Sequence, residues 1–223
     1  MLKQNRFVLL LIALSLLLLV TPVLGLLGLD HYPRFLSIAT AVLFVVMLVA
    51  AVAATSRSRS SILICVLLAA PAIVLCGFEP FVDSRAVLIT KHAIGSVFIA
   101  YVIVISLRYL FTDNHVTVDT ICASLCVYLL LGVCWSSIHV LIEVLEPGSY
   151  QLPGHGPEAR FADFALYYSF VTMTTLGYGD VIPSSSSTRM FATTEAIMGQ
   201  LYIAVLVARL VGLHIAQAKA VSR

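Results

Sequence analysis

Residues 172–180 read Thr172-Met173-Thr174-Thr175-Leu176-Gly177-Tyr178-Gly179-Asp180. Threonine followed by glycine at alternate positions lets a short segment turn its backbone carbonyls to one side. Glycine reaches the backbone angles this needs without steric cost. Oxygens converging in this way could replace the water that a bare cation must shed. The chemistry would lie in the main chain and would need no acid, base or nucleophile.

Such a segment must be held by other elements, and the composition says where they sit. The chain has 223 residues, of which 61% are hydrophobic and 11% charged, and its mean hydropathy is +1.04. A soluble domain is about half apolar and about a quarter charged. The excess lies in long runs, which places the chain in a membrane. A net charge of +2, with no basic cluster interleaved with aromatics, argues against a nucleic-acid partner. Cys65, Cys76, Cys122, Cys126 and Cys134 lie in or at the ends of apolar runs, with no CxxC pair among them. They read as small buried hydrophobes rather than as a disulfide framework or zinc site.

A spanning helix needs about 20 apolar residues. Six segments qualify, at about 7–29, 35–54, 61–78, 87–111, 118–145 and 188–215. Met1 to Arg6 before the first run imitates a signal peptide. The run is too long for a signal core of roughly 7–15 residues, so it reads as a retained first span. A shorter helix-prone segment at about 162–174 leads into the glycines. Irregular backbone at membrane depth is tolerated only where protein or a water-filled path covers it, which predicts a re-entrant loop. The expected fold is therefore an all-α membrane protein, with a four-helix module over 1–115 and a second module over 116–223. The polar stretch 112–117 separates them, and Ser56–Ser61 forms a polar turn.

With the amino terminus inside, the inner side carries Lys3, Arg6, Arg57, Arg59, Arg108, Arg209, Lys219 and Arg223, opposed by Asp113 and Asp119. The outer side carries Arg34, Arg85, Lys91, Arg160 and Arg189 against eight acids: Asp30, Glu79, Asp83, Glu143, Glu146, Glu158, Asp163 and Asp180. This is the bias of the positive-inside rule. Both termini are expected on the cytoplasmic side. The few residues after the last span leave no room for an attached soluble sensor.

Residues 118–215, most specifically 174–180, resemble the pore region of tetrameric potassium channels. The stretch Glu195-Ala-Ile-Met-Gly-Gln-Leu-Tyr-Ile-Ala-Val-Leu-Val-Ala-Arg-Leu-Val-Gly212 is similar to their inner helices. The outline resembles a bacterial six-span, one-pore-loop member in the inner membrane. The resemblance implies a homotetramer in lipid, because one filter copy per chain requires four chains, and it implies K+ ions in the filter with no other cofactor. Thr175 would give its hydroxyl and carbonyl to the innermost ion site. The carbonyls of Leu176, Gly177 and Tyr178 would form the rings above, and Gly177 and Gly179 would permit the backbone. Tyr178 would brace the filter from behind. Leu176 stands where valine or isoleucine is commoner. Asp180 would sit at the outer mouth, where some relatives partner it with a pore-helix glutamate. Val171 occupies that place here, so Tyr167 or Tyr168 is left to bond Asp180. Thr174 would belong to the filter's support.

In the last span, Ala196, Gln200, Ile203, Val207 and Val211 fall on one face by helical spacing and would line the cavity. Gln200 reads as a cavity wall group or as an inter-helix hydrogen-bond partner. Gly199 matches the family's hinge glycine or else serves close helix packing. Glu195 is a carboxylate inside a span, which is expensive and by default functional. It either steadies the filter by its protonation or bonding, or is a satisfied buttress, with Thr172, Thr174 or a neighbouring chain as partner. Arg189 anchors the helix at the outer interface. His139 and Glu143 share one face of the fifth span, either as a metal or proton site or as a water-exposed helix-end pair. Residues 146–160 form a stiff, non-helical turret with three prolines.

Six spans with one loop resemble voltage-gated channels in outline, but the fourth span is uncharged from Ala93 to Leu107. Gating by moving charges, at about 2.3 kcal/mol per charge per 100 mV, is not expected. No phosphate-binding glycine loop and no HExxH is present, so no enzyme is indicated. The function implied is passive, K+-selective conduction. The alternatives are a weakly selective cation channel of the same architecture, or a non-conducting scaffold or sensor subunit.

Overall fold

In a computed structural model the described residues are 6–27, 33–55, 59–78, 84–112, 116–152 and 161–221. Several positions named above lie outside them: Lys3, Asp30, Arg57, Glu79, Asp83, Asp113, Glu158, Arg160 and Arg223. So do 56–58 of the polar turn, 113–115 of the polar stretch and 153–160 of the turret. The side chains of Arg6, Arg34, Arg59, Cys76 and Lys219 are likewise outside.

The elements in chain order are α1 (Arg6–Leu26), α2 (Pro33–Thr55), α3 (Arg59–Phe78), α4 (Arg85–Thr112), α5 (Val118–Leu145), β1 (Tyr150–Gln151), α6 (Phe161–Met173), β2 (Ile182–Pro183) and α7 (Ser186–Val221). Among the described residues four stretches are long and apolar enough to cross a membrane: Ile38–Thr55, Arg85–Thr112, Val118–Leu145 and Ser186–Ile215. The expectation of six spans adds α1 and α3, whose apolar stretches Phe7–Val20 and Leu63–Leu75 are shorter. Pro22 and Pro71 lie inside α1 and α3. The all-α expectation needs one correction. β1 and β2 form a two-stranded antiparallel ladder, with Tyr150 opposite Pro183 and Gln151 opposite Ile182. Two-residue strands beside a proline-rich turret carry no sequence period to read.

The chain divides into two compact units, Met1–Asp113 with Thr117–Val127, and Asn114–Val116 with Tyr128–Arg223. In the first, Phe7, Leu10, Leu14, Met47, Leu48, Phe98 and Val102 are among the buried apolar residues. Asp119, from the first turn of α5, receives the Phe7 amide at 3.3 Å and the Tyr109 hydroxyl at 3.3 Å. A carboxylate at a helix N-terminus satisfies an orphan donor and complements the helix dipole. The Phe7 and Tyr109 rings stack at 5.4 Å above it, and the Cys126 thiol donates to the Phe7 carbonyl at 3.4 Å. These bonds tie the amino-terminal part of α5 to the first unit.

In the second unit α6 has 13 residues, about 20 Å of helix at 1.5 Å per residue. That is too short for a hydrocarbon core of about 30 Å. The N-terminus of α7 is closed by reciprocal bonds. The Thr188 amide donates to Ser185 Oγ at 3.2 Å, and the Ser185 amide donates to Thr188 Oγ1 at 3.1 Å. This is the capping-box geometry with threonine in place of the acid. The Ser184 amide and hydroxyl bond the carbonyls of Ser149 and Gly148, which fixes the turret turn to the start of α7.

Candidate ion pathway

The segment 174–180 leaves the C-terminus of α6 with a definite turn. The Leu176 amide donates to the Val171 carbonyl at 2.9 Å, and the Thr175 amide donates to the Thr172 carbonyl at 2.9 Å. This pair of bonds is the Schellman arrangement, in which a left-handed residue ends the helix. The left-handed position is Thr175, with φ 59°. Glycine is usual there, and a β-branched residue at positive φ is a genuine outlier. Such strain persists only where the surroundings impose it, and it collects at functional segments. φ is positive again at Gly177 (57°) and Gly179 (80°), but not at Leu176 or Tyr178. Backbone that alternates in handedness brings successive amides to one side and successive carbonyls to the other. The alternation covers Thr175 to Gly179, two residues more than the span of the glycines.

Asp180 accepts a hydrogen bond from the Tyr167 hydroxyl at 2.7 Å. That bond pushes the Tyr167 phenol up to about 12. The Tyr167 ring also stacks on Tyr178 at 6.4 Å and 3°, so each ring braces the other. Tyr168 is not at Asp180; it is buried beside His139, Tyr150 and Phe161. Removing the hydroxyl by Tyr167→Phe should cost about 0.5–1.5 kcal/mol per chain. The expected readout is a lower melting temperature, by about 2–4 °C for each kcal/mol at this size.

The second unit also holds a buried polar cluster. Glu195 on α7 and His139 on α5 are each 0% exposed. Glu195 Oε2 lies 2.8 Å from His139 Nε2, and Glu195 Oε1 lies 2.5 Å from the Ser169 hydroxyl on α6. Ser169 Oγ also lies 2.8 Å from the Gly132 carbonyl, and His139 Nδ1 lies 2.5 Å from the Tyr150 hydroxyl. Burial, above all, pushes the Tyr150 phenol well above its ordinary range, so it remains a donor. The Tyr150 ring stacks on Phe161 at 3.9 Å. Glu143 folds the turn that delivers Tyr150, accepting the Gly148 amide at 2.9 Å and the Tyr150 amide at 3.1 Å. Gly148 supplies the positive φ, 87°.

Two sequence expectations are corrected here. The partners of Glu195 are His139 and Ser169, not Thr172 or Thr174. His139 and Glu143 are not a water-exposed pair, because one is sealed in the cluster and the other shapes the turret. Thr174 bonds back to the Phe170 carbonyl at 2.6 Å. Tyr150, Ser169, Gly132 and His139 as a partner of Glu195 were missed. An ionisable group at membrane depth demands a partner, and two such groups in one module, Glu195 and His139, were the available signal.

Gly199 meets α6 at close range. A Cβ there would lie 2.5 Å from the Met173 carbonyl oxygen and against the Met173 side chain. Gln200 Nε2 donates to the same carbonyl at 3.4 Å. The neighbouring positions Ala196, Ile203, Val207 and Val211 run along α7. Ala196 is half-buried and the other three are exposed in the single chain. Leu176 and Tyr178 are also exposed, at 55% and 67%. Arg189 donates to the Pro183 carbonyl at 3.2 Å. Among the described residues no group of acids, histidines and cysteines is arranged to hold a metal ion.

Residues 125–214 match a protein-family model described as an ion channel. Together with helices able to cross a membrane, this match supports an integral membrane protein whose residues 125–214 resemble an ion-channel domain. Two-pore potassium channel 2 of Arabidopsis thaliana is 34% identical over 100 residues, 45% of this chain and 20% of that protein. Two-pore potassium channel 4 of the same plant is 32% identical over 87 residues, 39% of this chain and 27% of that protein. Voltage-gated potassium channel Kch of Escherichia coli is 40% identical over 50 residues, 22% of this chain and 12% of that protein. The chain thus spans about a quarter or less of the length of these curated relatives. No solved structure matches the chain.

Proposed function

We propose that the protein is a potassium-selective channel conducting K+ passively down its electrochemical gradient. Four copies assemble around one axis in a bacterial inner membrane, each with six spanning helices, α6 re-entering, and both termini cytoplasmic. Carbonyls of Thr175, Leu176, Gly177 and Tyr178 form stacked rings that replace the hydration shell of K+, and Gly179 and Asp180 end the filter at the outer mouth. K+ ions are the only bound species required. The observation that carries this reading is the positive φ at Thr175, Gly177 and Gly179, within the stretch matched to an ion-channel model. The exposure of Leu176, Tyr178 and one face of α7 in the single chain supports assembly, since a filter needs all four sides. α4 holds no charge between Ala93 and Leu107, so the first unit serves as scaffold rather than as an arginine-based voltage sensor.

Purified protein in liposomes loaded with K+ and diluted into K+-free buffer should release it when an added protonophore lets H+ enter to balance the charge, and should release Na+ far more slowly. Chemical cross-linking should stop at four chains. Equal release of the two ions would favour the weakly selective pore. No release, with a cross-linked ladder ending below four, would favour a scaffold.

A further inference from the structure

A hydroxyl carries one hydrogen, and Ser169 Oγ stands within hydrogen-bond reach of two oxygens. These are the Gly132 carbonyl at 2.8 Å and Glu195 Oε1 at 2.5 Å. The carbonyl has no hydrogen to give. If Ser169 donates to Gly132, the hydrogen in the contact with Glu195 must come from Glu195. An ionised Glu195 would leave one of these two contacts as oxygen against oxygen with nothing between them. The other end of the cluster fits the same count. With the His139 tautomer that carries its hydrogen on Nε2, Tyr150 donates to Nδ1 and Nε2–H donates to Glu195 Oε2. Donation then runs one way: Tyr150, His139, Glu195, Ser169, Gly132 carbonyl. The Glu195 carboxyl is neutral in this arrangement, as its 0% exposure favours, because a neutral acid loses far less on leaving water than a carboxylate does. The other titratable groups of the cluster are Tyr168 on α6, ring to ring with His139, and Glu143 on α5, engaged by the Gly148 and Tyr150 amides. Neither supplies a cation.

We infer that Glu195 is held as a neutral carboxylic acid and acts as a positioning residue for the filter. It fixes α6 between α5 and α7 through this one-way hydrogen-bond chain. Ser169 lies one helical turn before Met173, the last residue of α6, so a shift at Ser169 is passed directly to Thr174 and Thr175. Gly132 belongs to the same device. The Phe170 ring occupies the place a Cβ would take, 2.5 Å away at its closest, which lets α6 approach near enough for the Ser169 bond.

The proposal rests on the channel reading for its consequence but not for its first test. In full-length protein in liposomes at neutral pH, the infrared difference between wild type and Glu195→Gln should contain the carbonyl band of a protonated carboxyl. Absence of that band overturns the proposal whatever the ion flux. Flux gives the second test. A glutamine amide can donate to Ser169 and accept from His139, so Glu195→Gln should keep wild-type K+ flux and K+ preference. Glu195→Ala strands the His139 Nε2 hydrogen, leaves Ser169 Oγ without its donor, and should lower flux by about tenfold or more and reduce the preference. Glu195→Gln as deficient as Glu195→Ala would mean that the ionised group is needed. Glu195→Ala equal to wild type would remove the positioning role. Either result overturns the proposal. A band present in a protein that passes no K+ would instead strike at the channel reading.

Discussion

Gly179→Ala protein should pass essentially no K+ in liposomes where the wild type conducts. φ at Gly179 is 80°, a region that costs an L-residue with a Cβ about 1–2 kcal/mol. The added methyl would meet nothing within 4 Å in the single chain, so the penalty is conformational rather than a clash. Thr175 already occupies positive φ two positions before Gly177, and the segment has little strain left to absorb. In the proposed ring of four the cost sums to about 4–8 kcal/mol. At about 1.4 kcal/mol per tenfold, that lowers the population of the conducting backbone by about a thousandfold or more. Gly212→Ala is the matched control. Gly212 lies in α7 at ordinary φ with open space around it, and alanine there should be neutral or mildly stabilising. Equal loss in both variants would mean that glycine is needed for something other than positive φ.

The second large effect is expected at Gly199. Alanine there places a Cβ 2.5 Å from the Met173 carbonyl oxygen. A backbone oxygen at the end of a packed helix cannot swing aside as a side chain can, so α6 or α7 must move. Overpacking of this kind costs about 1–3 kcal/mol per chain. Met173 is 1% exposed and ends α6 directly before the proposed filter, so the displacement is delivered to Thr174 and Thr175. Gly199→Ala should lose most K+ flux and should melt earlier, by about 2–4 °C for each kcal/mol at this size. A glycine used only as a hinge would give a different pattern, with altered opening and an unchanged melting temperature. Calorimetry beside flux separates the two, and unchanged melting would contradict the close-packing account.

How far the sequence could be read followed from how local each requirement was. Gly177 and Gly179 announce themselves because a demand for positive φ selects glycine at that very position. Thr175 meets the same demand without the residue that advertises it, because the Schellman turn at the end of α6 imposes it. The long apolar runs were legible as helices from hydropathy alone. The ladder of Tyr150–Gln151 with Ile182–Pro183 was not, since two residues per strand show no alternation. The buried cluster was the deepest miss. His139 and Glu195 are 56 positions apart, and their meeting depends on packing among α5, α6 and α7 that no periodicity encodes. Glu143 looked like a partner for His139 because both lie on one helix face. The turret turn claimed Glu143 instead, through its bonds to the Gly148 and Tyr150 amides.

The most direct test of the central claim is the reversal potential of purified protein in a planar bilayer, with K+ alone on one side and Na+ alone on the other. Carbonyl rings from Thr175 to Tyr178 predict a reversal displaced far toward the K+ equilibrium potential, and no current from Gly179→Ala. A reversal near zero, or a current that Gly179→Ala leaves intact, would contradict it.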